Sequence, residues 1–207
     1  RQRQMCIRDS GSTPLVDPCC GSGILLIEAA LTALQQAPGL GRQFALEGWA
    51  DFDQELWRRE CDRARTRQRE PQTLPPIVGF EQDPEIAEQA RDNVRAAGLE
   101  ACINIHTGDF LDQTLPDLPG VLVCNPPYGH RIGDEQQLEA LYRDLGTYAK
   151  QNAAGWQLWL LSGNRSLTGA LRLKASKRIP VSNGGLDCRW LHYGLRAPSS
   201  VQEASTR

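Results

Sequence analysis

A glycine turn between a short apolar segment and a long apolar one limits the fold of this chain more than any other feature. Residues 14–16 are Pro-Leu-Val, residues 17–23 are Asp-Pro-Cys-Cys-Gly-Ser-Gly, and residues 24–34 carry only Glu28 and Thr32 as polar side chains. Strand, glycine turn and helix in this order form the first unit of a nucleotide-binding α/β sheet. The glycines let the backbone approach a ligand, and the helix N-terminus favours an anionic group.

The same turn differs from a dinucleotide-binding fingerprint. The pattern GxGxxG requires a glycine three residues after Gly23, and that position is Leu26. Asp17 precedes the glycines and can attract an amino group, which suits an S-adenosylmethionine (SAM) site better. An NAD-linked oxidoreductase is therefore disfavoured, since the chain also shows no evident hydride-transfer partner.

Two further predicted strands are followed by acids that would reach the same sheet edge. Residues 77–81 end on Glu81, which is placed to hold a ribose diol. Residues 103–107 are followed by Asp109, which can accept a hydrogen bond from an adenine amino group, and Phe110 could pack on that ring. Between them a helix is predicted from Asp83 and Pro84 to about residue 97. Its apolar face would carry Ile86, Ala90, Val94 and Ala97.

A stiff polar segment follows the next predicted strand, Val-Leu-Val-Cys at 121–124. Asn125-Pro126-Pro127-Tyr128 would lie at the carboxyl end of that strand, where α/β sheets bind ligands. The prolines fix φ and lack N–H groups, so nearby carbonyls stay free. An amide oxygen, a carbonyl and an aromatic face can together grip a planar exocyclic amine. The other interpretation is a turn that uses Asn and Pro for shape alone.

The remaining segments alternate between helix and strand. After a loop at 129–133 that could close over a substrate, helices are predicted at 135–152 and about 167–175, with a strand at 156–161 between them. Residues 176–181 and 186–195 read as a hairpin around Asn183-Gly184-Gly185. This order predicts an α/β, Rossmann-like fold: a seven-stranded, mostly parallel sheet with a C-terminal antiparallel hairpin. The domain would span 13–196, with 1–12 non-native or disordered and 197–207 a disordered tail or linker.

An insertion at 38–76 interrupts this alternation. Asp53 would cap a helix running to about Gln68, whose second half is rich in arginine, after Trp49, Phe52 and Trp57. Basic charge beside aromatics can form a nucleic-acid face. Acidic residues dilute that charge, so a solvated helix face anchored by buried tryptophans is favoured.

Composition excludes several classes of protein. The 207 residues are 40% hydrophobic and 23% charged, as in globular chains, and the net charge of −2 argues against a generally basic nucleic-acid coat. Seven cysteines form no CxxC pair, which favours a reducing, cytoplasmic location over a disulfide framework. No apolar run is long enough to span a membrane, and no spacing typical of metal ligands is present.

Several motifs together resemble the amine-directed, SAM-dependent RNA methyltransferases. They are the segment from Asp17 to Ala30, Gly-Phe-Glu-Gln-Asp at 79–83, Gly-Asp-Phe at 108–110 and Asn-Pro-Pro-Tyr-Gly at 125–129. Within that family the insertion, Leu-Tyr-Arg-Asp-Leu-Gly at 141–146 and Asn-Gly-Gly-Leu-Asp-Cys at 183–188 resemble one branch in particular. This branch is the guanine-N2 methyltransferase half of bacterial ribosomal RNA large-subunit methyltransferases K/L.

The resemblance implies a methyltransferase fold, SAM as cofactor and transfer to guanine N2 in 23S ribosomal RNA. Asn125, Pro126 and Tyr128 match the catalytic motif, in which the amide oxygen and the proline carbonyl hold the amine against the aromatic ring. The cofactor would contact Asp17, Cys20, Gly21, Gly23, Glu81, Asp109 and Asn125.

The resemblance also implies that the chain is a truncated form. Members of this branch carry an RNA-binding THUMP module before the domain and a second methyltransferase half after it, and both are missing here. Other functions stay open: methylation of tRNA guanine, of adenine N6 in DNA or of a protein glutamine, or a non-catalytic RNA-binding module.

Overall fold

The computed structural model describes residues 13–128 and 135–196. Within these residues seven strands form one sheet in the order β3-β2-β1-β4-β5-β7-β6, and β7 alone runs antiparallel to the other six strands. The strands are β1 (Leu15–Asp17), β2 (Ile77–Glu81), β3 (Ile103–Thr107), β4 (Val121–Cys124), β5 (Gln157–Ser162), β6 (Lys177–Asn183) and β7 (Leu186–Gly194). The predicted fold class, including the C-terminal antiparallel hairpin, is confirmed.

Five α-helices connect these strands in the described residues. They are α1 (Ile24–Ala33), α2 (Gln54–Arg65), α3 (Pro84–Ala96), α4 (Glu135–Asn152) and α5 (Arg165–Ala170). Side-chain caps fix several starts: Asp53 accepts a hydrogen bond from the Leu56 N–H at 2.8 Å, and Asp83 accepts from Glu85 and Ile86. Gly98, at φ +67°, follows α3 and ends it as predicted.

Two apolar clusters cover the two faces of the sheet. One joins α4 to β4, β5 and β7 through buried Tyr142, Leu145 and Tyr148, and the other packs α1 against β1, β2 and β3 through Leu26 and Ala30. Helices on both faces of a parallel sheet are the expected arrangement for βαβ connections. The core therefore holds the carboxyl ends of β1, β2 and β4 in fixed positions side by side.

Three local predictions require correction. Ile86 was assigned to the buried face of α3, but it is 37% exposed and Ala87 is buried beside Ala90 and Val94. Helix α5 begins two residues earlier than predicted and ends at Ala170, because the Asn164 side chain caps it by accepting from the Leu167 N–H. In the hairpin, Asn183 is the last residue of β6, and Gly184 and Gly185 alone make the turn with positive φ.

The insertion carries little free positive charge on α2. Arg58 and Arg65 pair with Asp62, and Arg63 pairs with Glu60, all one turn apart. The interpretation as a solvated helix face therefore accounts for these arginines better than a nucleic-acid face. Buried tryptophans do not anchor it, however: Trp49 is 67% exposed, and Trp57 is half-buried against Phe44 and Phe52.

Gly146 allows α4 to approach the chain that follows α5. A Cβ at this position would overlap the backbone carbonyl of Leu171. We expect Gly146→Ala to lower the free energy of unfolding by about 1–3 kcal/mol, because overpacking outweighs the better helix propensity of alanine. Gly169→Ala in α5 is the matched control, since no atom lies within 4 Å of its added Cβ. Urea unfolding compares the two, and a Gly146→Ala variant as stable as the control would contradict this packing.

Candidate active site

The predicted site residues meet at the carboxyl edge of the sheet. Asp17 ends β1, Glu81 ends β2, Asp109 follows β3 and Asn125 follows β4, and these four strands are neighbours. The strand order reverses between β1 and β4, and α/β sheets bind ligands at such a switch point. Asp17 and Asn125 lie on its two sides. The structure therefore brings together residues that are up to 108 positions apart in the chain.

The glycine turn is held against β2 by hydrogen bonds. The Gly21 N–H donates to Glu81 Oε2 at 3.0 Å, and the Cys20 N–H donates to the Phe80 carbonyl at 2.9 Å. Gly21 and Gly23 both have positive φ, at 53° and 79°, where a side chain would be strained. Glu81 also accepts from the Asp83 N–H through Oε1. Its carboxylate thus orients the loop as well as facing the site.

Asp17 is a buried acid, with only 1% of its surface exposed. Burial, together with a smaller contribution from the negative charge of Glu81, raises the pKa of its carboxyl to about 7, although a hydrogen bond from the Cys19 N–H opposes the shift. Two carboxylates at one sheet edge, one of them poorly solvated, create a negative potential. A positively charged group would be favoured there because it would allow Asp17 to ionise.

Asp109 and Phe110 occupy different environments. Asp109 is exposed and its Oδ1 accepts from the Leu111 N–H, while the preceding Gly108 N–H donates to the Glu81 carbonyl and joins the ends of β2 and β3. Phe110 is buried and packs edge-on against Tyr148 at 5.3 Å between ring centroids. The expectation that its ring packs on an adenine is therefore wrong; this ring belongs to the core.

Cys20 contributes its backbone to the turn, and its thiol donates a long hydrogen bond to the Gly21 carbonyl at 3.8 Å. Its side chain is buried, lies 2.8 Å from the position of a Cβ added to Gly79, and has a pKa raised by burial. Its carbonyl accepts from the Gly23 N–H at 2.9 Å and so closes the turn. The assignments of Cys20 and the other cofactor residues stay predictions.

Asn125 presents its side chain at the edge of the sheet. It is exposed, and its amide makes no hydrogen bond with any residue that the structure describes, whereas Pro126 beside it is buried. A buried proline next to an exposed amide keeps the backbone fixed while the amide stays available. The loop at 129–133, predicted to close over a substrate, lies outside the described residues.

Tyr128 is fixed by the C-terminal hairpin. Its hydroxyl oxygen accepts from Asn183 Nδ2 at 2.8 Å, and the Cys188 thiol donates to the same oxygen at 3.6 Å. Burial raises the pKa of the Tyr128 hydroxyl, so it stays protonated over the ordinary pH range. The contact joins the segment after β4 to β6 and β7, and it gives the aromatic ring a defined orientation.

Sequence reasoning missed three residues that shape this site. Asn183 and Cys188 hold Tyr128, although nothing in their local sequence indicates a partner 55 or 60 positions away. Gly79 was seen only as part of a motif, yet a Cβ there would lie 2.6 Å from Leu26 and 2.8 Å from the Cys20 thiol. A glycine within a buried strand was the available signal, because it marks close approach of neighbouring groups.

Comparison with known proteins agrees with this geometry. The family described as UPF0020, RMKL-like, methyltransferase domain, matches residues 6–192. The chain belongs to this family. It is therefore a methyltransferase domain, and SAM as the expected cofactor is confirmed.

Individual relatives give the same result for this RMKL-like domain. The ribosomal RNA large subunit methyltransferase K/L of Marinomonas sp. (strain MWYL1) is 39% identical over 94% of this chain, which spans 28% of that protein. SMU.472, a putative methyltransferase crystallised with S-adenosyl-L-homocysteine (SAH), has a TM-score of 0.83 and 33% identity. The predicted N6-adenine-specific DNA methylase of Listeria monocytogenes has a TM-score of 0.79 and 31% identity. These matches cover 91% and 89% of this chain and about half of each solved chain.

The described residues contain neither a metal-binding cluster nor a membrane-spanning helix. No cluster of three or more potential metal ligands occurs among residues 13–128 and 135–196. Over the same residues, no helix has both the length and the apolar character needed to cross a membrane.

Proposed function

We propose that this RMKL-like domain transfers a methyl group from SAM to the exocyclic N2 amine of a guanine in 23S ribosomal RNA. The observation that carries the proposal is the Asn125 amide, which has no partner among residues 13–128 and 135–196 and lies beside a rigid proline pair at the switch point, next to the buried acid Asp17. Similarity to a K/L methyltransferase over 94% of the chain supports ribosomal RNA as the substrate.

The residues on the β1 and β2 side fit a cationic cofactor. Asp17, buried with a second carboxylate nearby, would hold the ammonium group, and the Gly21 to Gly23 turn at the start of α1 leaves room for the backbone to approach it. Glu81 would hold the ribose, and Asp109 the adenine amino group. SAM supplies an electrophilic methyl group on a sulfonium. The SAH bound to SMU.472, which is 33% identical, supports this assignment.

The residues on the β4 side fit a planar amine. The Asn125 amide oxygen and the Pro126 carbonyl would accept its two N–H groups, while Tyr128, held by Asn183, would support the flipped base. In the transfer a carbon–sulfur bond breaks as the carbon–nitrogen bond forms, and the amine then loses one proton to solvent. The protein contributes position and stabilisation of the developing positive charge on nitrogen.

Partners and location are part of the proposal. The domain would act as one half of a longer enzyme with an N-terminal THUMP module and a second, C-terminal methyltransferase half. The chain spans 28% of the K/L relative, which leaves room for such parts in that protein. We infer a cytoplasmic location, where ribosomal RNA is found together with reducing conditions. The six described cysteines, all free thiols, are consistent with it.

Adenine in DNA is a second candidate because the Listeria relative is a predicted N6-adenine-specific DNA methylase. Incubation with tritiated SAM and either 23S rRNA, tRNA, DNA or protein separates the candidates, and mass spectrometry locates the methyl group. We expect N2-methylguanosine in 23S rRNA. Methyladenine in DNA, methylguanosine only in tRNA or methylglutamine would overturn that substrate. A chain that binds RNA without any transfer would point to a binding module.

A further inference from the structure

A wide groove lies between α5 and the C-terminal hairpin. Its volume is about 1140 Å³, and its walls come from residues 162–169, from the segment after α5 and from β6 and β7. The groove exceeds the range of about 300–1,000 Å³ that is typical of small-molecule pockets. Asp17, Glu81 and the glycine turn do not line it, so it is separate from the proposed cofactor site.

Three arginines line this groove. Arg165 is the first residue of α5, while Arg178 on β6 and Arg189 on β7 share one face of the hairpin, because Arg178 pairs with Leu191 and Pro180 with Arg189 in the antiparallel register. None of the three forms an ion pair with a described residue, unlike Arg58, Arg63 and Arg65 of α2. Among the described residues, Asp187 is the one acid on the walls. The groove is thus positively charged in a chain whose net charge is −2.

The groove reaches the proposed acceptor site at Gly163. This residue lines the groove, and a Cβ added to it would lie 3.5 Å from Tyr128 Cδ2. Cys188, whose thiol donates to the Tyr128 hydroxyl, also lines it. A chain lying in the groove would therefore pass directly beside the aromatic residue that is proposed to support the target base.

The chemistry of the walls favours phosphate groups over bases. Tyr193 is the one aromatic residue that the described part of the chain places on these walls, and it is buried and so offers no open ring for base stacking. Arginine, by contrast, binds phosphate through paired N–H groups. Contacts of this kind position a nucleic acid without reading its sequence.

We propose that this groove binds the sugar–phosphate backbone of single-stranded RNA next to the target nucleotide, with Arg165, Arg178 and Arg189 contacting phosphates. The inference rests on the proposed function for its choice of RNA. It predicts that these three arginines contribute much of the dependence of RNA affinity on salt concentration.

The test uses the full 207-residue chain and a short fluorescein-labelled oligouridylate, whose binding is followed by anisotropy between about 50 and 200 mM KCl. The test variant combines Arg165→Gln, Arg178→Gln and Arg189→Gln. The matched control combines Arg58→Gln, Arg59→Gln and Arg63→Gln on α2, which removes the same charge. We expect the slope of log affinity against log salt to fall in magnitude by about 2 in the test variant, which is about 0.7 per lost contact. Affinity at 100 mM should then fall by roughly 100-fold, and the control should match the parent.

Folding is controlled in two ways. Thermal unfolding and calorimetric SAM binding should be unchanged in the triple variant. Because Arg189 is half-buried, a double variant of the exposed Arg165 and Arg178 keeps the test valid if the triple variant does not fold. Its slope should fall by about 1.4.

Several outcomes would contradict the proposal that the groove binds RNA. They are an unchanged slope in the groove variants, a loss of affinity in the α2 control instead, no RNA binding by the parent chain, tighter binding of oligodeoxythymidylate than of oligouridylate, or tighter binding of polyglutamate. The methyl-transfer assay keeps the two proposals distinct. If RNA binding depended on these arginines but no RNA were methylated, the proposal for the groove would be supported and the proposed function would be rejected. Transfer to 23S rRNA at the parent rate by the triple variant would support the proposed function and contradict RNA binding in the groove.

Discussion

Replacing Asn125 by alanine is expected to lower methyl transfer by about 100-fold to 1,000-fold while leaving SAM binding within a few-fold of the parent. The side chain is exposed and makes no hydrogen bond to the described part of the chain, so its removal should cost little stability. In the proposed site its amide oxygen accepts from the amine as positive charge develops on nitrogen. Loss of one such preorganised group typically costs about 100-fold to 1,000-fold in turnover. Calorimetry with SAM and tritium transfer to RNA measure the two effects separately.

Two companion variants make this test specific. Asn104→Ala removes another exposed asparagine, on β3, and should leave transfer unchanged. Asn125→Asp keeps an acceptor oxygen at the site and should retain more activity than Asn125→Ala. Near-normal turnover by Asn125→Ala would show that Asn-Pro-Pro serves only to shape the turn, which is the interpretation that the sequence left open.

The parallel part of the fold was predictable because its signals are local. Residues 77–81 and 103–107 are short apolar or alternating runs, and the predicted strands match the observed ones at both ends. Asp83 and Pro84 give α3 its start through capping and a fixed φ, which need no tertiary partner. The positions of the candidate site followed from this pattern, since the carboxyl ends of neighbouring parallel strands meet at one edge.

The contacts made across the sheet were not predictable from local signals. Ile86 and Ala87 are adjacent, and a small rotation of α3 decides which of them is buried; packing against β2 and β3 selects the alanine. Phe110 was assigned to the ligand from its place after Asp109, but the position of Tyr148 on α4 draws it into the core. Likewise, the hydrogen bond from Asn183 to Tyr128 exists only because β7 and β6 are added beside β5 in reverse order.

Asp17→Asn is expected to stabilise the ligand-free domain at neutral and alkaline pH. Between pH about 4 and about 7 the folded state holds a proton on Asp17 that the unfolded chain has lost, because burial raises the pKa from 3.8 to about 7. The free energy of unfolding of the parent therefore falls as pH rises through this window. A shift of about 3 units corresponds to about 4 kcal/mol, and this cost should be absent in Asp17→Asn. Urea unfolding at pH 4 and pH 8 measures the difference in free energy of unfolding between Asp17→Asn and the parent. This difference should be small at pH 4 and large at pH 8. The exposed control Asp51→Asn should have the stability of the parent at both pH values.

The same substitution should weaken SAM binding, because the proposed partner of the ammonium group is the ionised Asp17. Loss of one member of a buried charge pair costs about 2–5 kcal/mol, so affinity should fall by about 30-fold or more. Stability and affinity thus move in opposite directions, which a general loss of folding cannot produce. Below pH 7, SAM binding by the parent should also release a proton from Asp17, visible as a binding enthalpy that changes with the ionisation enthalpy of the buffer; Asp17→Asn should show no such change. If Asp17→Asn gained stability and still bound SAM as the parent does, Asp17 would destabilise the fold without contributing to SAM binding. The ammonium group would then have to be held by Glu81 or another residue at this edge.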